Sequence, residues 1–165
     1  MSPASGAVRQ LCASFEVAGH YLGLPVLEVQ EVLRGQLLTP VPLAPPAIAG
    51  LINLRGQIIP ALNMHQLLAL GGDSDSAGSV SVVLRTSTGP VSLQVDEIGD
   101  VLEIDAERLE PPPPNLETQM RNCLSGVCPL KDRLLLVLDT GRTVDVTAAY
   151  SQNGPERTTA EGQNS

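Results

Sequence analysis

Apolar and polar residues alternate along most of this chain in short runs, and glycine, proline or small polar residues separate the runs. Leu11 to Val17 predicts a strand, Ala18-Gly19-His20 a turn, and Tyr21 to Pro25 the returning strand. Val26 to Leu33 fits either period. Val26, Val29 and Val32 suit a helical face, but the β-branched content favours an extended segment, and a strand is expected there. The prolines at 40, 42, 45 and 46 remove backbone donors and fix their own φ, so this stretch connects and does not pair. Ala49 to Leu54 and Gln57 to Leu62 flank Arg55-Gly56, a tight turn whose glycine takes φ > 0 at no steric cost.

Further along, Met64 to Leu70 forms a short amphipathic stretch, and GGDSDSAGS (71–79) has the composition of a flexible loop. Val80 to Arg85 and Val91 to Asp96 flank Thr86 to Pro90. In the second run Val91, Leu93 and Val95 alternate with Ser92, Gln94 and Asp96, which predicts a half-buried strand with one wet face. Ile98 to Ile104 adds a strand. Asp105 to Leu109 predicts one helical turn with Asp105 as its cap, ended by the prolines at 111–114. Leu124 to Leu130 and Leu134 to Leu138 flank Lys131-Asp132-Arg133, and the unbroken LLLVL run fits a strand buried on both faces. About nine or ten short strands, with no helix long enough for a βαβ crossover, predict an all-β domain over residues 10–150. The leader (1–9) and the tail (151–165) are small, polar and aperiodic, and are expected to be disordered.

A net charge of -8 with a single lysine, Lys131, argues against nucleic acid or an anionic membrane as partner, because phosphate recognition needs clustered Lys and Arg. With Phe15, Tyr21 and Tyr150 the only aromatics, the core must be built from Leu, Val, Ile and Ala. Cysteines at 12, 123 and 128 without a signal peptide ahead of them fit a reducing cytoplasm. No apolar run approaches the roughly 18 residues a bilayer requires, so no direct membrane insertion is expected. His20 and His65 are isolated, Cys123 and Cys128 lack a second pair, and the phosphate-loop, dinucleotide and nucleophile-elbow motifs do not occur. The carboxylates at Asp73, Asp75, Asp96, Glu97, Glu103 and Asp105 read as solvated. No catalytic residue, metal or cofactor is expected; the chain reads as a binding module.

Two blocks carry a family resemblance: FEVAGHYLGLPVLEVQEV from Phe15 and, after the proline-rich link, AIAGLINLRGQIIPALN. An Asn-Leu-Arg-Gly turn between apolar strands, with Gly50 ahead of it and Pro60 four residues after Gly56, is its specific part. With PVSLQVDEIGDVLEI and LSGVCPLKDRLLLVLD, the sequence resembles the CheW family from Leu11 to Thr147. The resemblance implies two intertwined five-stranded SH3-like barrels with an apolar groove between them. It also implies a cytoplasmic, non-enzymatic adaptor that joins the regulatory domain of a CheA-type histidine kinase to the cytoplasmic tips of methyl-accepting chemoreceptors, reaching the membrane only through receptor arrays. A kinase-binding scaffold or modulator that does not engage receptors is the alternative. Carried onto this chain, Val29, Glu31, Val80 and Ser92 would line the receptor groove, Gly50 and Arg55 would serve a kinase or receptor interface, and Gly56 would be structural. The structural alternatives are core packing for Val29 and Val80, and for Arg55 a hold on nearby carbonyls of its hairpin. The sequence departs from the family at Asn63-Met64-His65, where Asp-Leu-Arg is usual, which removes two charges and the expectation of an ion pair there. DTGRTVDV also replaces a more helical ending, since Gly141 and the β-branched residues weaken a helix.

Overall fold

The sharp turn at Arg55-Gly56 shows how local chemistry sets the pairing. Arg55 (φ 53°) and Gly56 (φ 86°) are both left-handed, the geometry whose twist matches a two-residue hairpin, and the Asn53 side chain accepts from Gly56 N at 2.9 Å. The hairpin strands are β4 (Ile48–Leu54) and β5 (Gln57–Asn63), paired from Leu54↔Gln57 to Ile48↔Leu62. In the computed structural model, which describes residues 9–70 and 80–145, they belong to one of two five-stranded sheets. That sheet also holds β3 (Val29–Arg34), β6 (Val80–Leu84) and β7 (Val91–Val95), in the order β3-β6-β7-β5-β4. The other contains β1 (Arg9–Val17), β2 (His20–Pro25), β8 (Glu97–Asp105), β9 (Leu124–Pro129) and β10 (Leu134–Leu138), in the order β8-β1-β2-β10-β9. Each sheet curls into an SH3-like barrel, so the all-β expectation holds.

The barrels are intertwined, because the first is built from both ends of the chain with the whole of the second threaded between β2 and β8. Moving every strand number by five turns one sheet order into the other, so β1–β5 and β6–β10 are structural repeats that have exchanged their leading hairpins. The details repeat as well. Each barrel has one parallel contact, β2 with β10 and β5 with β7. Each also has an edge bridge beside a glycine, Thr39↔Leu51 next to Gly50 and Glu110↔Val127 next to Gly126. A short helix follows the last strand of each repeat: α1 (Met64–Leu67) after β5, capped by Asn63, and α3 (Thr140–Thr143) after β10, capped by Asp139. A further helix, α2 (Thr118–Cys123), precedes β9.

The largest hydrophobic cluster fills the seam between the barrels and takes Phe15, Leu22 and Leu136 from one and Val82, Leu93 and Leu62 from the other. Smaller clusters fill the barrel interiors, around Cys12, Tyr21 and Leu135 in the first and Ile52, Ile59 and Val83 in the second. At about 25 cal/mol per Å² of apolar surface removed from water, Leu and Val side chains suffice for this arrangement without aromatic residues.

Three sequence expectations change. β7 has no wet face: all five of its residues are buried, with Leu93 against the seam and Ser92 and Gln94 turned the other way. The polar side is satisfied internally, because Gln94 Oε1 accepts from Ser81 Oγ and from Ser92 Oγ, each at 2.8 Å. Residues 26–33 are not one strand, since Val26–Glu28 form a 3-10 turn before β3 begins. Arg9 belongs to β1 and not to the leader. The expected single turn at Ala106–Arg108 is present as a 3-10 turn, with the Asp105 side chain accepting from Glu107 N at 3.0 Å. The remainder of the predicted leader, the 71–79 loop and the 151–165 tail lie outside the described residues. Among the described residues no helix is long and apolar enough to cross a membrane.

Candidate protein-interaction site

Arg55 projects from the β4–β5 turn, at one edge of its sheet, and reaches Glu31 on β3, at the other edge. The contact is bidentate, with Nη2 to Oε1 at 2.7 Å and Nη1 to Oε2 at 2.9 Å. The pair therefore ties together the two edges of the second barrel's sheet. Hydrogen bonds from Arg55 hold the Glu31 carboxyl below the usual carboxylate range, and Glu31 in turn raises the guanidinium. The Arg55 side chain remains 68% exposed, so its outer face is open to a second partner. Arg55 thus holds a carboxylate on the opposite edge strand, not the hairpin carbonyls.

The other sequence-derived residues separate into surface and interior. Val29 is partly buried against the seam cluster. Val80 is 1% exposed and Ser92 0%, so neither presents a side chain to a groove: Val80 is seam core and Ser92 belongs to the internal Gln94 bridge. Gly50 has a packing reason for its identity, since a Cβ there would lie 2.7 Å from the Thr39 carbonyl oxygen. Thr39 and Leu51 exchange two 2.8 Å backbone hydrogen bonds at this point, which covers the outer edge of β4. Gly56 serves the left-handed turn position, as expected.

Two polar contacts escape a local reading. His65 Nε2 lies 2.9 and 3.1 Å from the carboxylate oxygens of Asp96, which can only accept, so Nε2–H donates. The His65-Asp96 contact thus supplies an acidic partner at Asn63-Met64-His65, where the local sequence offers none. Thr140 donates to the Glu28 carboxylate across an even larger sequence separation. Neither pair has a spacing that a sequence reading could detect. On the first barrel, Arg133 stacks 3.5 Å above the Tyr21 ring and pairs with Glu16 at 3.2 Å. Cys12 and Cys123 are buried, and Cys128 is half-buried. Burial, with the nearby Cys128 adding to it, pushes Cys12 up to about 11, and burial also raises Cys123 and Cys128.

Clefts of about 350 and 230 Å³ cross the seam, one beside Glu28, Arg85 and Thr140 and one beside His20, Leu70 and Met120. A third, of about 410 Å³, lies on the first barrel between Leu11, Pro25 and Leu27. The CheW-like domain family matches residues 12–147, nearly the whole described chain. The chain belongs to the CheW family. It is 31% identical over 136 residues to the chemotaxis protein CheW of Klebsiella aerogenes, covering 82% of each chain. It is 30% identical over 132 residues to the chemotaxis protein CheW of Thermotoga maritima, covering 80% of this chain and 85% of that one. Among solved structures it is similar to the scaffolding protein TtCheW from Thermoanaerobacter tengcongensis, with a TM-score of 0.70, 28% identity, and coverage of 80% of this chain and 90% of that one. Paired five-stranded barrels are therefore the CheW architecture in this chain too.

Proposed function

We propose that this CheW-family chain is a non-enzymatic adaptor that couples methyl-accepting chemoreceptors to a CheA-type histidine kinase. The observation that carries this reading is the match to the CheW-like domain across residues 12–147. The similarity to chemotaxis proteins and to a scaffolding protein supports it. Its partners are then proteins, in keeping with a net charge of -8 that disfavours phosphate-rich ligands, and it works in the cytoplasm, meeting the membrane through the receptors it joins.

The second barrel offers the features such docking needs. Val32 (41% exposed) on β3 and Ile58 (56%) at the start of β5 are exposed apolar side chains in the barrel that carries the Arg55-Glu31 pair. Burial of such side chains supplies affinity, while an exposed guanidinium on the same barrel sets orientation and association rate. Arg55, Glu31, Val29 and the Gly50 segment are the residues through which we expect kinase and receptor to be met. Val80 and Ser92 act only through the core.

The test is binding of the purified chain to a CheA-type regulatory domain and, separately, to a receptor-tip helical hairpin, for wild type, Arg55→Ala and Val29→Asp. Binding to both, weakened by at least one substitution in a folded protein, supports the adaptor. Binding to the kinase domain alone replaces it with a scaffold that ignores receptors, and binding to neither refutes both.

A further inference from the structure

The chain passes between the barrels twice, through Val26–Glu28 on the way to β3 and through Asp96 on the way to β8, and both crossovers are held from both sides. At Asp96 the first barrel contributes backbone contacts: Asp96 N donates to Glu16 O at 2.9 Å, and Ala18 N donates to Asp96 Oδ2 at 2.8 Å. The second barrel contributes His65, from α1, to the same carboxylate. At the other crossover the second barrel supplies Arg85, whose backbone N donates to Glu28 O at 2.8 Å and whose Nη1 donates to Leu27 O and Val29 O at 3.2 and 2.9 Å. There the first barrel supplies Thr140, from α3, to the Glu28 carboxylate. In each case a side chain of the short helix that follows a repeat's last strand, β5 or β10, lies on the strap leading between the barrels.

The seam itself is apolar, and apolar burial is non-directional, so it holds the barrels together without strongly selecting one angle between them. Hydrogen bonds to a carboxylate are directional. The geometry points to His65 and Thr140 as positioning residues that clamp the two crossovers, hold the barrels in one relative orientation, and thereby hold the shape of any surface that spans the seam. Its bearing on partners rests on the adaptor reading; the orientation itself does not.

Residual dipolar couplings of backbone amides in the full chain test the clamp directly. In wild type one alignment tensor is expected to fit both barrels. In the double variant His65→Ala/Thr140→Val each barrel is expected to fit a tensor of its own, with the two differing in magnitude or direction, because a loosened hinge averages the barrels differently. His65→Gln and Thr140→Ser, which keep a donor at each site, are expected to restore the common tensor. A single tensor still fitting both barrels of the double variant overturns the proposal. So does loss of agreement within each barrel, which would mean that the side chains support the fold and not the angle. Because no partner is present, the result is independent of whether kinase or receptor binds.

Discussion

Gln94 shows how far one side chain's neighbours decide its meaning. Its amide oxygen serves the Ser81 and Ser92 hydroxyls in the interior of the second barrel, where none of the three meets water. Gln94→Leu keeps most of the volume but strands both hydroxyls, and an unsatisfied buried donor costs about 1–3 kcal/mol. Urea denaturation should show a loss of that order, whereas removing the hydroxyls as well, in Ser81→Ala/Ser92→Ala/Gln94→Leu, should recover part of it. Cys12 offers a second residue-scale test. Its thiol is fully buried and pushed up to about 11, so the folded protein keeps the proton after the unfolded chain has released it. A raised folded value means stability is fully present below the ordinary thiol range and lost as pH rises towards about 11. Replacing Cys12 with Ala should flatten that alkaline loss, on the order of 2 kcal/mol at most, in melts recorded between pH 8 and 11.

At the scale of elements, the edge bridges beside Gly50 and Gly126 are equivalent devices with unequal tolerances. An Ala Cβ at position 50 would lie 2.7 Å from a backbone oxygen; at position 126 the nearest atoms are 3.0 Å away. Gly50→Ala must therefore push the Thr39 strap from β4 and is expected to cost about 1–3 kcal/mol by overpacking, with Gly126→Ala costing less. Amide exchange at Leu51 and Thr39 reports the strap directly, since each amide donates to the other residue's carbonyl. Equal exchange in wild type and Gly50→Ala would rule this account out. The pattern of strands and turns was legible here because each depends on neighbours in sequence: the Asn53-Arg55-Gly56 turn, the Asp105 cap and the doubly buried β10 all have local signatures. The helix α2, only six residues long and capped by no side chain, has none.

The whole molecule behaves as one unit if the seam is what makes it stable. The first barrel pairs Arg9 on β1 with Asp105 on β8, across the whole of the second barrel in sequence, so its sheet is closed by distant contacts. Such non-local pairing slows folding and couples the barrels. Leu93, 0% exposed in the seam, is expected to cost about 2–5 kcal/mol when cut to Ala. That loss should appear equally in the exchange protection of β1 and β4 and in a single unfolding transition. Two transitions, or loss confined to the second barrel, would show that the barrels are stable separately.

Alternation, turn residues and prolines determined on their own that this is an all-β chain of about ten short strands, and the Asn-Leu-Arg-Gly turn pointed to its family. Each of those features acts over a few residues, where the periodicity of side chains is direct information. Tertiary structure alone decided what each strand face meets. Period two separates Val91, Leu93 and Val95 from Ser92 and Gln94, but it cannot say that the polar set faces a barrel interior. It likewise decided that Arg55 would meet Glu31, His65 Asp96, and Thr140 Glu28. Those partners are brought together by the exchange of hairpins between the repeats and by the closing of each sheet, and contacts made by closure leave no periodic trace in the chain.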